Sequence, residues 1–315
     1  MQNHSTGWRS SSLRRLAAAV PWAARPLLRR MILRHLDQPE RLHWLAQTVS
    51  ADLGYRAPFV AKLGNGMDIL VAANDLVGRE IILHGFYEPA TVNIVSALLK
   101  PGMTFFDVGA HVGQYTLIAS ALVGSSGQVH SFEPDPQTCV WLRSNVERNH
   151  LANVHVVESA VSSSNAPLDL WLSSSTNIGA NSIHKPDEFS GRKVTVHSTR
   201  LEDYIATIGA RPDLMKLDVE GAEIAALDGL GHLLEDANAP ALIVEFCSHM
   251  QESSGASSSA LSAYLERKGY ELFRVTDSGL VEYVPKIPEE SYFNVLASKS
   301  QDILDTDSDL RIEHN

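Results

Sequence analysis

Residues 104–113, Thr-Phe-Phe-Asp-Val-Gly-Ala-His-Val-Gly, restrict the fold of this chain more than any other stretch. An apolar run of strand length meets two glycines, and an apolar segment of helical length, residues 114–123, follows at once. A strand that reverses through glycine straight into a helix opens a βα unit. The unit then repeats. Residues 129–133 read as a second strand ending in Glu133, residues 136–150 as a helix, and residues 154–157 as a third strand. Further strands are expected over 214–218, 241–245, 270–275 and 292–297, with helices over 221–230 and 258–268. Such alternation predicts an α/β fold with a doubly wound, mostly parallel sheet of seven strands. Its right-handed crossovers put the ligand-binding loops at the carboxyl ends of the strands. The connection between the last two strands is polar, contains Gly and Pro, and is too short for a crossover helix. The final strand is therefore expected to be antiparallel.

The rest of the chain is arranged around this core. Residues 1–55 read as a basic, helical N-terminal extension, 56–100 as short strands and a helix leading inward, 101–300 as the ligand-binding domain, and 301–315 as an acidic tail. Within the second segment, residues 61–70 and 81–83 are expected to be strands of a hairpin or meander, and 91–99 a helix stopped by Lys100-Pro101-Gly102. Charge divides along similar lines. The net charge is −11, yet residues 1–45 contain eight Arg, no Lys, and only Asp37 and Glu40, so this leader holds +6 and the remaining 270 residues −17. A body this acidic argues against nucleic acid as its partner. Arg14 and Arg15 before the apolar residues 16–24 imitate an export signal, but Pro21 interrupts the run. Arg25, Arg29 and Arg30 then stand where a small-residue cleavage site belongs. No stretch has the ~20 apolar residues that span a bilayer. Two readings of the arm stay open: peripheral contact with an anionic membrane or a partner, and a loosely ordered extension. The two cysteines, Cys139 and Cys247, lie far apart with no C-x-x-C pair, which argues for a reducing, cytoplasmic setting.

The chemistry starts at the first turn. Gly109 and Gly113 remove side chains there, which lets the backbone of Ala110 and His111 and the helix N-terminus approach a ligand. The spacing D-x-G-x-x-x-G is not the G-x-G-x-x-G that seats a dinucleotide pyrophosphate, and no G-K-[ST] follows to hold a triphosphate. A nicotinamide-dependent dehydrogenase is set aside on that ground. A carboxylate at Asp107, directed at the turn, repels phosphate and attracts the ammonium and sulfonium of a ligand such as S-adenosyl-L-methionine. Glu133, at the end of the second strand, is placed to accept both hydroxyls of a ribose. Ser159 and Ala160, just past the third strand, are expected to face an adenine. The set describes a nucleoside pocket without phosphate contacts; the alternative is a structural turn with solvent-facing acids.

Several stretches resemble the FkbM-type S-adenosylmethionine-dependent methyltransferases of the class I superfamily. They are Gly85-Phe86-Tyr87-Glu88-Pro89, residues 106–113, Phe132-Glu133-Pro134, residues 177–183, Lys216-Leu217-Asp218-Val219-Glu220-Gly221-Ala222-Glu223 and Val244-Glu245-Phe246. The glycine turn is common to most class I methyltransferases, whereas K-x-D-x-E-G-x-E is more specific. The resemblance implies a Rossmann-like sheet and the cofactor S-adenosyl-L-methionine held by Asp107, Gly109, Ala110, His111, Gly113, Glu133, Pro134, Ser159, Ala160 and Asp218. It also implies methyl transfer to a hydroxyl of a small molecule or glycan: a sugar, a lipid or a secondary metabolite. His111 stands where the family usually has Asn, which changes the hydrogen bonding beside the cofactor.

Methyl transfer to oxygen needs in-line alignment and removal of the hydroxyl proton. Asp218, Glu220, Glu245 and His249, at the ends of the fourth and fifth strands, are the candidate bases, with Asp218 first and His184 reachable from the 177–184 loop. Lys216 lies in a strand buried on both faces and needs a partner among Asp107, Asp218, Glu220 and Glu245. It either balances charge there or also touches the acceptor hydroxyl. Asp218 and Glu220 also suit a divalent cation, but no third ligand is legible and no metal is expected. The Ser- and Asn-rich residues 162–192 form either a cover over the acceptor pocket or a surface excursion. A nucleoside-binding protein without catalysis is the rival functional reading.

Overall fold

The computed structural model describes residues 58–72, 75–173, 181–184, 192–247, 257–276, 281–283, 292–300 and 312–313. The basic arm and His249 lie outside the described residues. The first described elements are a hairpin of β1 (Phe59–Lys62) and β2 (Asp68–Val71), then α1 (Leu76–His84) and α2 (Pro89–Leu98). The core opens with β3 (Thr104–Val108), α3 (Gln114–Val123), β4 (Gln128–Phe132), α4 (Pro136–Arg148) and β5 (Val154–Val157). An excursion follows: β6 (Ala160–Val161), β7 (Leu168–Leu172), β8 (Arg192–Val196) and β9 (Ser198–Thr199), with β7 and β8 paired antiparallel. The core resumes with α5 (Leu201–Ile208), β10 (Leu214–Leu217), α6 (Glu223–Asp228), β11 (Ala241–Cys247), α7 (Ser258–Arg267) and β12 (Glu271–Val275). It ends with β13 (Val281–Tyr283), β14 (Tyr292–Ser298) and β15 (Ile312–Glu313).

The sheet is α/β and doubly wound, in the order β5-β4-β3-β10-β11-β14-β12, with β13 and β15 added beyond β12. The five strands from β5 to β11 run parallel. β14 is antiparallel to both of its neighbours, as the short final connection requires. All seven expected strands are present. The two extra edge strands, of three and two residues, carry too few side chains for a period to be legible.

Two apolar clusters cover the two faces, and the strands feed them alternately. Phe105, Leu214 and Ile243 join one cluster with α2 and α3, while Phe106, Val108, Met215, Leu217, Leu242 and Val244 join the other. Alternation then puts Asp107, Lys216 and Glu245 on the same face as Phe105, Leu214 and Ile243, one step nearer the carboxyl ends. An apolar layer thus gives way to a charged one where the loops begin.

One upstream expectation fails. Residues 81–83 form no strand; they lie in α1, whose start is capped by Asp75, with the Gly78 N–H donating to its carboxylate at 3.1 Å. Gly85, at φ 85°, ends the helix in the left-handed region. An apolar triplet suits either element, and the caps decide. Helix α5 was not anticipated; its Tyr204 ring packs edge-on against Phe106 and Phe132.

Candidate active site

The first turn is built by close backbone approach. Gly109 has φ +82°, and a Cβ there would lie 1.8 Å from the carbonyl oxygen of Asp218, so the exits of β3 and β10 touch as only glycine permits. The N–H groups of Gly109 and Ala110 both donate to the Phe132 carbonyl, at 3.0 and 2.9 Å. A Cβ on Gly113 would meet Leu142 at 2.4 Å, so this glycine brings α3 against α4. Its N–H donates to the Ala110 carbonyl. Ala110 and Gly113 therefore shape the turn, while Gly109 and His111 border the cavity above it. His111 has φ +50°, and both of its ring nitrogens are buried with no hydrogen-bond partner.

The two acids expected at this turn are buried and play different parts. Asp107, 1% exposed, accepts from the Thr116 hydroxyl at 2.6 Å and does not border the cavity. The pleat turns it toward α3, beneath the turn and not into it, and burial raises its carboxyl to about 6. Glu133 does border the cavity. One of its oxygens accepts from the His111 N–H and the other from the Asp135 N–H, both at 2.9 Å. When the group is ionised, each oxygen keeps a second acceptor position. Burial pushes Glu133 up to about 8. Pro134, Ser159 and Ala160 continue the same wall. Ser159 is fixed by the Thr199 hydroxyl, which donates to it at 2.8 Å.

Beyond the exits of β10 and β11 the site is dense in carboxyl groups. Lys216, 2% exposed, donates to Asp218 at 2.6 Å, and its ammonium lies 4.7 Å from the Tyr115 ring centre. Burial pulls Lys216 down, but Asp218, Glu88 and Glu245 more than offset it and hold the ammonium charged. Against its own burial, Asp218 is kept below the usual carboxylate range by Lys216 and by hydrogen bonds from Lys216 and Glu245. Glu220 and Glu245 are pushed well above that range, first by burial and then by Asp218. The surroundings thus favour the charged form of Asp218 and the protonated forms of Glu220 and Glu245. One oxygen of each of Asp218, Glu220 and Glu245 lies within 4.8 Å of the others, so Glu245 completes the oxygen triad that the sequence left without a third member.

The sequence reading assigned no role to Tyr87, Glu88, Tyr115 or Tyr292, although the Gly85–Pro89 motif was its signal. Gln114, at the start of α3, exchanges two hydrogen bonds with the Tyr87 backbone, at 2.7 and 2.9 Å. That pins the motif beside the turn. Glu88, at φ 48°, accepts from the Tyr115 hydroxyl at 2.9 Å, and the hydroxyls of Tyr87 and Tyr292 meet at 2.7 Å.

The cavity encloses about 320 Å³, within the range of small-molecule sites. Gly109, His111, Glu133, Pro134, Ser159, Ala160, Asp218, Glu220 and Glu245 border it, as do Tyr87 and Tyr292. Leu170, Asn181 and Ile183 close another side, so the excursion after β6 does lie over the pocket. It is tied there by the Ser182 hydroxyl, which donates to the Glu220 carbonyl at 2.8 Å. His184 is half-buried and is not part of the lining. No Lys or Arg borders the cavity among the described residues. The acids that border it, Glu133 and Asp218 among them, suit a cationic nucleoside better than a phosphate.

The methyltransferase FkbM domain matches residues 107–272 of this chain, more than half of its length. The chain belongs to that family. It is 26% identical over 198 residues to the hexuronic acid methyltransferase AglP of Haloferax volcanii, covering 62% of this chain and 76% of that protein. It is 31% identical over 170 residues to the 31-O-demethyl-FK506 methyltransferase FkbM of Streptomyces tacrolimicus, covering 45% and 63%. Among solved structures, methyltransferase FkbM from Methylobacillus flagellatus superposes with a TM-score of 0.41 at 15% identity, covering 64% of this chain and 47% of that one. The curated relatives are matched over 32% to 76% of their own length. No helix among the described residues is long and apolar enough to cross a membrane.

Proposed function

We propose that this FkbM-family chain is an S-adenosyl-L-methionine-dependent O-methyltransferase acting on a hydroxyl of a small molecule or glycan. The observation that carries the reading is the pairing of Glu133, a buried acid whose ionised form has two acceptor positions to spare, with Asp218 across one cavity that no lysine or arginine lines among the described residues. The named activities of two relatives, on a hexuronic acid and on an O-demethyl polyketide, support transfer to oxygen.

In this reading Glu133 accepts the two ribose hydroxyls, and Pro134, Ser159 and Ala160 form the wall for the adenine. Asp107 braces the turn from below through Thr116. When bound, the cofactor supplies an electrophilic methyl group on a cationic sulfur. Asp218 orients the acceptor hydroxyl and takes its proton, while Lys216 keeps that carboxylate ionised and aimed. Asp218, the charged member of the acid cluster, gives the surroundings a negative potential matched to a sulfonium.

Calorimetry with S-adenosyl-L-methionine and S-adenosylhomocysteine tests the pocket; absence of binding by both ends the reading. Incubation with hydroxyl acceptors, read by a one-methyl mass increase, tests the reaction. Asp218→Ala is expected to abolish that increase while homocysteine-nucleoside binding persists. Binding without transfer to any acceptor would favour a nucleoside-binding protein without catalysis.

A further inference from the structure

Resting on the reading of this cavity as a methyl-transfer site, we infer that Ser182 is a positioning residue of that site: its hydroxyl holds Glu220 in the strained backbone geometry that sets the Glu220 carboxyl beside Asp218. The turn after β10 runs through residues 219–222 and is closed by the Ala222 N–H, which donates to the Val219 carbonyl at 3.2 Å. Its two central residues, Glu220 at φ +50° and Gly221 at φ +93°, both lie in the left-handed region. Glycine adopts that geometry freely. A glutamate does so against the close approach of its Cβ to the following carbonyl oxygen, and such a conformation persists only where neighbouring groups enforce it. Both flanks of the turn are held: the Asp218 N–H donates to the Val108 carbonyl, and the Gly221 N–H donates to the Glu223 carboxylate, each at 3.0 Å. Between them the Glu220 carbonyl accepts from Ser182 at 2.8 Å.

Ser182 is itself rigidly placed. It is buried, and its backbone exchanges two hydrogen bonds with Trp171 in β7, at 2.8 and 3.1 Å. Its Oγ accepts from the His184 N–H at 3.1 Å, which leaves the hydroxyl proton for Glu220. The excursion thus lends the order of a paired strand to the strained point of the turn. The Glu220 side chain borders the cavity, with one oxygen within 4.8 Å of Asp218 and of Glu245. Once the Ser182 bond is lost, the left-handed residue can relax, and rotation about its φ carries the carboxyl away from the base. Methyl transfer is sensitive to misplacements of about 1 Å, so a residue that touches neither reacting atom can govern its rate.

The test compares the full chain as wild type, Ser182→Ala and Ser182→Cys, with and without S-adenosylhomocysteine, by residue-resolved amide exchange. In Ser182→Ala the Gly221 and Ala222 amides are expected to exchange at least about tenfold faster, while those of residues 171 and 182 stay within about threefold because their backbone bonds persist. Ser182→Cys, a weaker donor of similar size, should fall between the other two and serves if the alanine variant does not fold. Nucleoside affinity should hold within about threefold, and for any methyl hexoside or phenol that the wild type methylates, kcat should fall about 30-fold with the KM for S-adenosyl-L-methionine unchanged. Unchanged exchange at Gly221 and Ala222 overturns the inference. So does faster exchange confined to residues 171, 182 and 184, the mark of a cover that has only come loose, and so does a loosened turn with kcat unchanged. Where the wild type methylates none of these probes, the exchange result decides. A loosened turn in a chain that binds no nucleoside leaves Ser182 as the holder of the turn and removes the methyl-transfer reading.

Discussion

Lys216 donates to Asp218 across 2.6 Å although the two are only two positions apart, one in β10 and the other just past its end. Residues at that spacing share a face of a strand, so the pair closes locally and needs no third element to bring it together. What the neighbouring strands add is isolation: β3 and β11 flank Lys216 in register at Asp107 and Ile243.

Removing the charge of Asp218 should therefore separate chemistry from cofactor binding. Asp218→Asn is expected to lower methyl transfer by more than about 100-fold. It should cost about 2 kcal/mol of stability, because Lys216 stays buried without its nearest anion. Product mass analysis, denaturant unfolding and nucleoside titration, with affinity held within about fivefold, check this. The pair itself adds no pH dependence near neutrality. The part from Asp218, whose folded pKa is lowered, disappears only as pH falls below its ordinary value of 3.8, and the part from Lys216 only as pH rises past 10.5.

Glu133 does bring pH dependence to the ligand-free protein. Its carboxyl moves from 4.5 to about 8, so across that window the folded chain holds a proton that the unfolded chain has released. Stability should fall as pH rises from about 4.5 to about 8, with Asp107 contributing in the same direction between 3.8 and about 6. Glu88, Glu220 and Glu245, also raised by burial, act in the same direction, so Glu133→Gln should remove one part of this slope in urea unfolding at pH 5, 7 and 8.5. A slope unchanged by that substitution would contradict the burial of Glu133.

Two glycines with similar backbone angles should respond very differently to alanine. Gly109 has φ +82° and its Cβ would strike the Asp218 carbonyl at 1.8 Å, whereas Gly209, at φ +68° in the left-handed α region, has nothing within 4 Å. Gly109→Ala is expected to cost at least about 3 kcal/mol and to abolish nucleoside binding. Gly209→Ala should cost about 1 kcal/mol and leave binding intact. Thermal unfolding with a nucleoside titration distinguishes them.

Burial and the Asp218 charge favour the protonated form of Glu245, which then donates to Asp218. Glu245→Gln supplies an N–H in place of the acid proton and should keep stability within about 1 kcal/mol. Glu245→Ala, which leaves a buried void, should cost about 2 to 3 kcal/mol. A glutamine variant as unstable as the alanine one would mean that Glu245 is ionised in the folded protein.

Much of this could be read before any coordinates. The run Thr104–Val108, its glycines and the helix after them have one workable geometry, and Lys216 in a doubly buried strand required an acid close by. Periodicity could not report where Asp107 points, because a strand's end residue can face the turn or the helix beneath it. Nor did it link Tyr87 and Glu88 with Tyr292, which is 205 residues from Tyr87. The short segment 81–83 was misread for a related reason: three apolar residues fit a helix as well as a strand, and Asp75 and Gly85 settled the matter.

Local order belongs to the sequence by itself: alternating strands and helices, the glycine turn, the acid ending β4, and the need of Lys216 for an acid partner all follow from spacing and side-chain type. Tertiary structure alone decided which acids meet. Glu245 joins Asp218 and Glu220 because β11 lies beside β10 in the sheet, and the Glu88 motif reaches them through Gln114. Burial of those groups together, away from water, pushes Asp218 toward its charged form and its neighbours toward their protonated forms, and no residue's charge state in such a cluster can be inferred from its own neighbours in the chain.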